Sequence, residues 1–509
     1  MFKSSVALVT LLAGLVHAIQ FPRHRLLNDD RQVLAQSLDA KYGPFYFDQR
    51  VDHEAGSTAT FRQRLWVNAD WYQENGPVIL YNAGEMPADE RAVYVTNSSM
   101  ALLARELNGA VIVMEHRSYG QSQPGPDYST KYLKTLTTAN ALSDMANIIL
   151  HFEIPALGRA LPPPEAQWIV YGGSYSGNLA AWMRQKYPDL VFAAVASSAP
   201  VQMKRNFYEY FEPIQQYGPP ECINAIEQVI KHVDHILATP FSHAKAELKD
   251  RFGVKDLTYD DDFAELLSMP LGLWQDMTPA RNPFGEFCKV FENAYTLNDQ
   301  IDAYAGYIKN AVVKSCRDEP LDHCLGTHDP NASQYTDLQS EVRPWMYQVC
   351  TEYAYWQTGN LPWKSTIVSR HLNVRWYERQ CPLFFGKDEV PHVPAWRAHN
   401  KKYDGWHIQL NRTFWLDGEM DPWRTLSVNS DHAPSPDTSN PTAVYAVIPG
   451  GVHHWDFFVS DTVSDFIKQL HKDMVHTLRS WLKDEGQSAK ETPLANHQQQ
   501  PMNQHPFSV

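Results

Sequence analysis

The sequence predicts an α/β protein: a mainly parallel sheet with helices on both faces, interrupted by a separate, cysteine-bearing middle unit. Three observations carry this. Between Pro77 and Ala199, short apolar runs alternate with helical patterns, which is how buried parallel strands joined by crossover helices read. From about Val201 to Asn400 the alternation gives way to an aromatic, Pro-rich, partly helical text, and it resumes beyond. All six cysteines, Cys222, Cys288, Cys316, Cys324, Cys350 and Cys381, fall inside that break.

The elements follow in order. MFKSSVALVTLLAGLVHA has a lysine, a short apolar run and small residues ending at Ala18, the form of a secretory signal over residues 1–18. A first core segment is expected over 19–200. Its strands are VILYNA (78–83), VIVME (111–115), WIVYG (168–172) and FAAVASSA (192–199), and its helices lie in SMALLAREL, ANALSDMANIILHF and GNLAAWMRQKY. The insertion spans 201–400. A second core segment over 401–485 supplies strands RTFWLDG (412–418) and TAVYAVI (442–448). A closing helix follows with Val463, Phe466, Ile467, Leu470, Met474, Leu478 and Trp481 on one face. The tail over 486–509 has nothing to pack and is expected to be disordered.

Composition narrows the function. Lys and Arg number 44 against 58 Asp and Glu, a net charge of -14, so no clustered cations offer a nucleic acid its counter-charge. No stretch after the leader approaches the roughly 20 apolar residues of a membrane span. The expectation is an exported soluble protein, secreted or held in a vacuolar or lysosomal lumen. Sequons at Asn97, Asn331 and Asn411 agree with export. In an oxidising compartment an even cysteine count without any Cys-x-x-Cys points to disulfides rather than metal, though six cysteines allow about 15 pairings.

WIVYGGSYSG (168–177) is the chemically informative stretch. A buried strand ending in Gly172-Gly173 and entering a helix through Ser174-Tyr175-Ser176-Gly177 describes a nucleophile elbow. Ser174 is the better candidate because it has Gly172 two residues before it, whereas Ser176 has Ser174 there. Ser176 also takes the place of the second glycine of G-x-S-x-G. A serine needs a base, and the base an orienting acid, in the chain order Ser, Asp, His. LDGEMDPW (416–423) and PGGVHHWD (449–456) each follow a predicted strand, so their loops emerge on the edge where the elbow sits. Asp421 is the expected acid, with Asp417 its rival. His453 is the expected base, with His454 its rival.

These residues carry a resemblance. EHRSYGQS (115–122), GGSYSGNLAAWMRQKYPDLVFAAVASSAP, DGEMDPW and GGVHHWD occur in order between about Phe45 and Trp481. Together they resemble the serine peptidase family containing lysosomal Pro-X carboxypeptidase and dipeptidyl peptidase II. Ser176 and YNAGEMPA (81–88) look closest to its fungal secreted branch, which includes prolyl endopeptidase. The resemblance implies an α/β-hydrolase core roofed by a helical, disulfide-bearing cap. It maps the nucleophile onto Ser174, the acid onto Asp421 and the base onto His453, and it implies cleavage after proline.

That chemistry needs two oxyanion donors. The expected pair is the backbone N–H of Tyr175 and one from the loop near Ala83-Gly84-Glu85, with Gly84 the candidate. A proline ring favours packing over hydrogen bonding, so Trp423, then Trp455, are the candidate contacts. Glu85 and Glu115 sit on catalytic-edge loops, to hold a substrate amine or brace the site. Asn178 stands where relatives commonly have an apolar residue. No cofactor and no metal is required, and the expected partners are proline-containing peptides, with a homodimer left open. A carboxylesterase or lipase is the alternative enzyme, opposed by the lack of an HGGG-type motif, and an inactive binding fold is the non-enzyme alternative. Carboxypeptidase, aminodipeptidase and endopeptidase action differ by loop geometry that the sequence does not fix.

Overall fold

The computed structural model describes residues 38–54, 58–435 and 439–491, with side chains through residue 484. The expected signal peptide lies outside the described residues. Eight strands form the main sheet in the order β1-β2-β4-β3-β5-β6-β9-β10. They are β1 (Phe45–Arg50), β2 (Thr60–Asn68), β3 (Val78–Asn82), β4 (Ala110–Met114), β5 (Trp168–Gly173), β6 (Ala193–Ser197), β9 (Thr413–Gly418) and β10 (Ala443–Ile448). From β4 to β10 every pairing is parallel, while β2 runs antiparallel to both its neighbours. That strand order, with its one reversed strand near the edge, is the α/β-hydrolase core.

All six expected strands are present. Except in the half-buried edge strand β10, their apolar runs are continuous because both faces are buried, and the two-residue period of a strand sorts them. Val78, Leu80, Ile112, Met114, Trp168 and Val170 face one layer. Ile79, Tyr81, Val111, Val113, Ile169 and Tyr171 face the other. The first layer contains helices α2 (Thr138–His151) and α3 (Tyr175–Lys186); the second contains α1 (Ser99–Glu106) and the closing α9 (Asp465–Glu491). Each of α1 and α2 starts on a side-chain cap: Ser98 accepts from the Ala101 N–H and Thr137 from the Asn140 N–H.

The closing helix corrects two expectations. It runs to Glu491, past the expected start of the tail, while residues 492–509 lie outside the described residues. Phe466 is 42% exposed, and Val475 is buried in its stead, because Phe466 falls one step off the stripe set by Ile467, Leu470 and Met474.

Between β6 and β9 lies the insertion. It contains α4 (Pro220–Leu237), α5 (Asp260–Ser268), α6 (Leu297–Ala311), α7 (Val342–Gln348), α8 (Trp396–Tyr403) and a small parallel pair, β7 (Lys204–Asn206) with β8 (Ala354–Trp356). Disulfides join Cys222 to Cys288, Cys316 to Cys324 and Cys350 to Cys381, so every cysteine is paired within it. Stapled as expected, the insertion is nevertheless not a separately cored unit. Its Trp345, Tyr353, Trp356 and Trp376 belong to the same buried cluster as Trp168 and Val170 of the sheet.

Candidate active site

The strand β5 ends where the chain must turn sharply into α3. Ser174 sits on that turn with φ 60° and ψ -132°, a conformation costing a non-glycine residue about 1–3 kcal/mol and held only by its surroundings. Here the Ser174 N–H donates to the Ser197 carbonyl of β6 at 2.9 Å. Glycine is obligatory two residues earlier: a Cβ on Gly172 would lie 1.9 Å from the Ser176 carbonyl oxygen. At Gly177 a Cβ would approach the Ser197 oxygen to 2.7 Å. Ser176, by contrast, has room for its side chain, and its hydroxyl donates to the Asn82 carbonyl at the end of β3, 2.5 Å away. The position usually filled by glycine thus ties the elbow to the neighbouring strand.

The acid and base loops leave β9 and β10 on the same edge. Asp421 is fully buried and His453 is 5% exposed. His453 Nδ1 lies 2.9 Å from Asp421 Oδ2 and 3.1 Å from Oδ1. Since a carboxylate accepts, Nδ1 carries the proton, which leaves Nε2 as an acceptor. That nitrogen is buried and has no hydrogen-bond partner among the described residues. Asp421 is oriented in turn by the Trp423 N–H, which donates to Oδ1 at 2.9 Å.

The rivals are engaged elsewhere. Asp417 accepts from Ser427 Oγ and Asn429 Nδ2, both at 2.9 Å. Burial, then the charge of neighbouring Asp421, pushes its carboxyl well above the usual range. His454 adopts the left-handed backbone region at φ 39°, donates its N–H to Ser198 Oγ at 2.8 Å, and packs its ring on Phe457. Next to it, Asp456 anchors the base loop to the sheet. Its carboxylate accepts the hydroxyls of Tyr171 and Ser197, each at 2.5 Å.

Of the remaining expected residues, Tyr175 opens α3, so its N–H has no acceptor within the helix. Gly84, at φ 72°, lies against the elbow: a Cβ on it would stand 3.5 Å from Ser176 Cβ. Its N–H is already donated to Asn82 Oδ1 at 2.9 Å, which removes it as a free donor. Glu85 is half-buried. Tyr119 and Tyr175 have phenols raised above their ordinary range chiefly by burial, with the Glu85 charge adding to it. Glu115 is a brace: fully buried, it accepts from Arg64, the Ala88, Gln121 and Ser122 N–H groups and the Ser122 hydroxyl.

The two tryptophans differ in burial. Trp423 is 5% exposed and enclosed by Phe207, Tyr210 and Tyr355 of the insertion, with ring centroids 5.4, 5.6 and 5.3 Å away. Trp455 is only half-buried. Asn178 does not face an open pocket either; its Nδ2 donates to the Pro200 carbonyl at 3.2 Å and toward Tyr355 Oη at 3.4 Å. The sequon residues Asn97, Asn331 and Asn411 are all exposed.

A buried polar network that the sequence did not reveal holds the elbow from above. Burial lowers the His116 imidazole to about 4, so it is neutral, and its Nδ1 lies 2.7 Å from the Arg117 carbonyl. Its Nε2 therefore accepts from the Tyr175 hydroxyl, 3.0 Å away. Gln348 of the insertion donates to the Tyr175 oxygen at 2.9 Å and accepts from Tyr119 at 2.5 Å. The signals available were the tyrosine between the two serines and the EHRSYGQS stretch that holds His116 and Tyr119.

Among the described residues no helix is long and apolar enough to cross a membrane. The chain matches the profile of the serine carboxypeptidase S28 family over residues 49–475. It is 30% identical over 486 residues to "Serine protease vicPb" of Bipolaris victoriae, covering 89% of this chain and 91% of that one. It is 29% identical over 482 residues to "Probable extracellular serine carboxypeptidase" of Arthroderma benhamiae, covering 86% of this chain and 66% of that one. Among solved structures, proline iminopeptidase of Mycobacterium smegmatis aligns with 87% of this chain and all of its own (100%), with a TM-score of 0.36 and 14% identity. The α/β-hydrolase strand order, the serine on its elbow and the match along most of the sequence converge: the chain belongs to the serine carboxypeptidase S28 family and is a serine-type peptidase.

Proposed function

We propose that Ser174, His453 and Asp421 form a triad that hydrolyses peptide bonds after proline through an acyl-enzyme. The observation that carries it is the unpartnered, buried Nε2 of His453, whose other ring nitrogen is fixed by Asp421. Such a nitrogen is set up to take the proton of Ser174 Oγ as the oxygen attacks the acyl carbon, while Asp421 stabilises the imidazolium. The same proton then goes to the leaving amine, and water attacks the ester in the second half of the cycle.

The oxyanion meets the Tyr175 N–H and, because Gly84 is committed to Asn82, the N–H of Glu85 on the same loop. Trp455 offers its half-buried ring to the proline, with Trp423, enclosed by Phe207, Tyr210 and Tyr355, the other candidate contact. Export to the extracellular space or a vacuolar lumen is favoured by the leader-like first residues, the three exposed sequons and the three disulfides.

Mass-spectrometric mapping of products from a mixed set of proline-containing peptides tests the reading, with Ser174→Ala as control. Cuts after proline that vanish in the control are expected, and fragment lengths identify exo or endo action. Cuts without regard to proline would reject the specificity; cleavage that survives Ser174→Ala would reject the triad.

A further inference from the structure

The indole N–H groups of three tryptophans bridge one short stretch of the insertion and the two loops that carry Asp421 and His453. Trp274 donates to the Met420 carbonyl at 2.8 Å, the peptide group immediately before Asp421. Trp423 donates to Gln275 Oε1 at 2.7 Å, while its backbone N–H holds Asp421 Oδ1. Trp455, two residues past His453, donates to the Met277 carbonyl at 2.8 Å. The acid loop is therefore gripped at two points and the base loop at one, all from residues 274–277.

Each grip is built to hold one geometry. Gln275 Oε1 accepts from the Tyr210 hydroxyl at 3.0 Å as well as from Trp423, which occupies both lone pairs and fixes the amide's orientation. Trp274 is 2% exposed and locked edge-on against Phe284, with ring centroids 5.2 Å apart. Trp274 and Gln275 bond the Met420 peptide group and the Trp423 side chain, on either side of Asp421. A single such hydrogen bond adds only about 1 kcal/mol to folding. A shift of about 1 Å in a catalytic group, however, is enough to cost on the order of 100-fold in rate.

We propose that residues Trp274–Met277 are a positioning clamp, in which Trp274 and Gln275 hold the Asp421–His453 pair within reach of Ser174, so that the enzyme is competent only with its cap docked. The proposal rests on the triad reading above. It adds a role for the insertion that roofing the cleft does not require: a lid could admit substrate and leave the acid and base in place, whereas lifting this segment releases both loops.

Two full-length variants test it. Trp274→Phe keeps an aromatic ring beside Phe284 and deletes the N–H together with part of the indole; Gln275→Met keeps length and deletes the acceptor. For each, kcat and KM are measured on a peptidyl-prolyl substrate, together with the rate of labelling by a fluorophosphonate, which reads the serine without assuming any residue preference. The downfield proton resonance of the Asp421–His453 hydrogen bond is recorded alongside thermal unfolding. The expected result is a roughly 10- to 100-fold fall in kcat and labelling rate, KM within about 2-fold, and a moved or broadened resonance in protein that is still folded. Wild-type rates and resonance in a folded variant would overturn the clamp, as would lowered stability with an unchanged rate per folded molecule. Should one variant fail to fold, the other decides. Failure of the triad itself is separable, because Ser174→Ala would then still be labelled and active whatever the clamp variants do.

Discussion

The sheet and the insertion spend their buried polar groups differently. Along the sheet's catalytic edge, buried polar side chains sit on the loops that leave the strands: Asp421 pairs with His453, while Asp456 anchors the base loop and Glu115 braces its neighbours. In the insertion they act as scaffold. Arg343, 1% exposed, donates to the carbonyls of Tyr128, Tyr335 and Phe384, joining core and cap without meeting a carboxylate. Likewise Asp262 gathers Thr327, Trp376 and Arg379. The difference teaches that the sheet supplies reacting groups on a backbone already fixed by strand pairing, while the insertion must build its rigidity from individual side chains.

The sharpest test of that contrast is the pair of aspartates beside β9. Asp421→Asn is expected to cut kcat on the order of 10⁴-fold, since an amide cannot hold the imidazole tautomer, with the unfolding temperature nearly unchanged. Asp417→Asn, at a carboxyl that burial pushes well above the usual range and that is bonded to Ser427 and Asn429, should cost less than about tenfold. Equal losses would mean that the two acids share the role. On the insertion side, Arg343→Met leaves three buried carbonyls unpaired and is expected to lower stability by about 3 kcal/mol or more in a denaturant titration. A smaller change would show the scaffold to be redundant.

Next in size are the disulfides. Removing Cys222–Cys288, which spans 66 residues, should destabilise by about 2 kcal/mol more than removing Cys316–Cys324, which spans 8, if constraint of the unfolded chain dominates. Differential unfolding of the two double-serine variants measures this. The smallest effect per unit of change is with pH. Burial, then the nearby Asp262, raises the Glu265 carboxyl from 4.5 to about 8. The folded chain then binds a proton that the unfolded chain has lost between those values. Stability should therefore decline as pH rises from about 4.5 to about 8, by at most about 1.4 kcal/mol per pH unit for this group, and level off above. Glu265→Gln should flatten that slope, and an unchanged slope would remove Glu265 as its source.

Legibility in the sequence follows the same division. Strands β3, β4, β5, β6 and β9 were readable because burial on both faces makes each an uninterrupted apolar run, and β10, half-buried at the sheet's edge, was readable from its apolar residues. The first two strands, β1 and β2, were not. Phe45–Arg50 alternates with solvent, and Thr60–Asn68 contains Arg64, which is buried only because Glu115 and Asp89 come from elsewhere in the chain to pair it. The elbow and the acid and base loops announced themselves by glycine spacing and position after strands. The Gly84 N–H did not, because its capture by Asn82 Oδ1 depends on a side-chain rotamer rather than on residue type. Nor did the grip of Trp274, Gln275 and Met277, whose partners lie well over a hundred residues downstream.

The chain order of the sheet has a consequence for biosynthesis. Ser174 and its elbow are complete once β6 has been made, yet β6 pairs on its far side with β9, which is translated only after the whole insertion. A nascent chain paused anywhere in between presents an open parallel edge, the kind of surface that invites unwanted pairing. Its serine also stands without acid or base. The last strands to emerge close that edge and bring Asp421 and His453 with them in the same event. The sheet of this serine peptidase is thus closed, and the proposed acid and base brought to the serine's edge, only by the last strands of the chain.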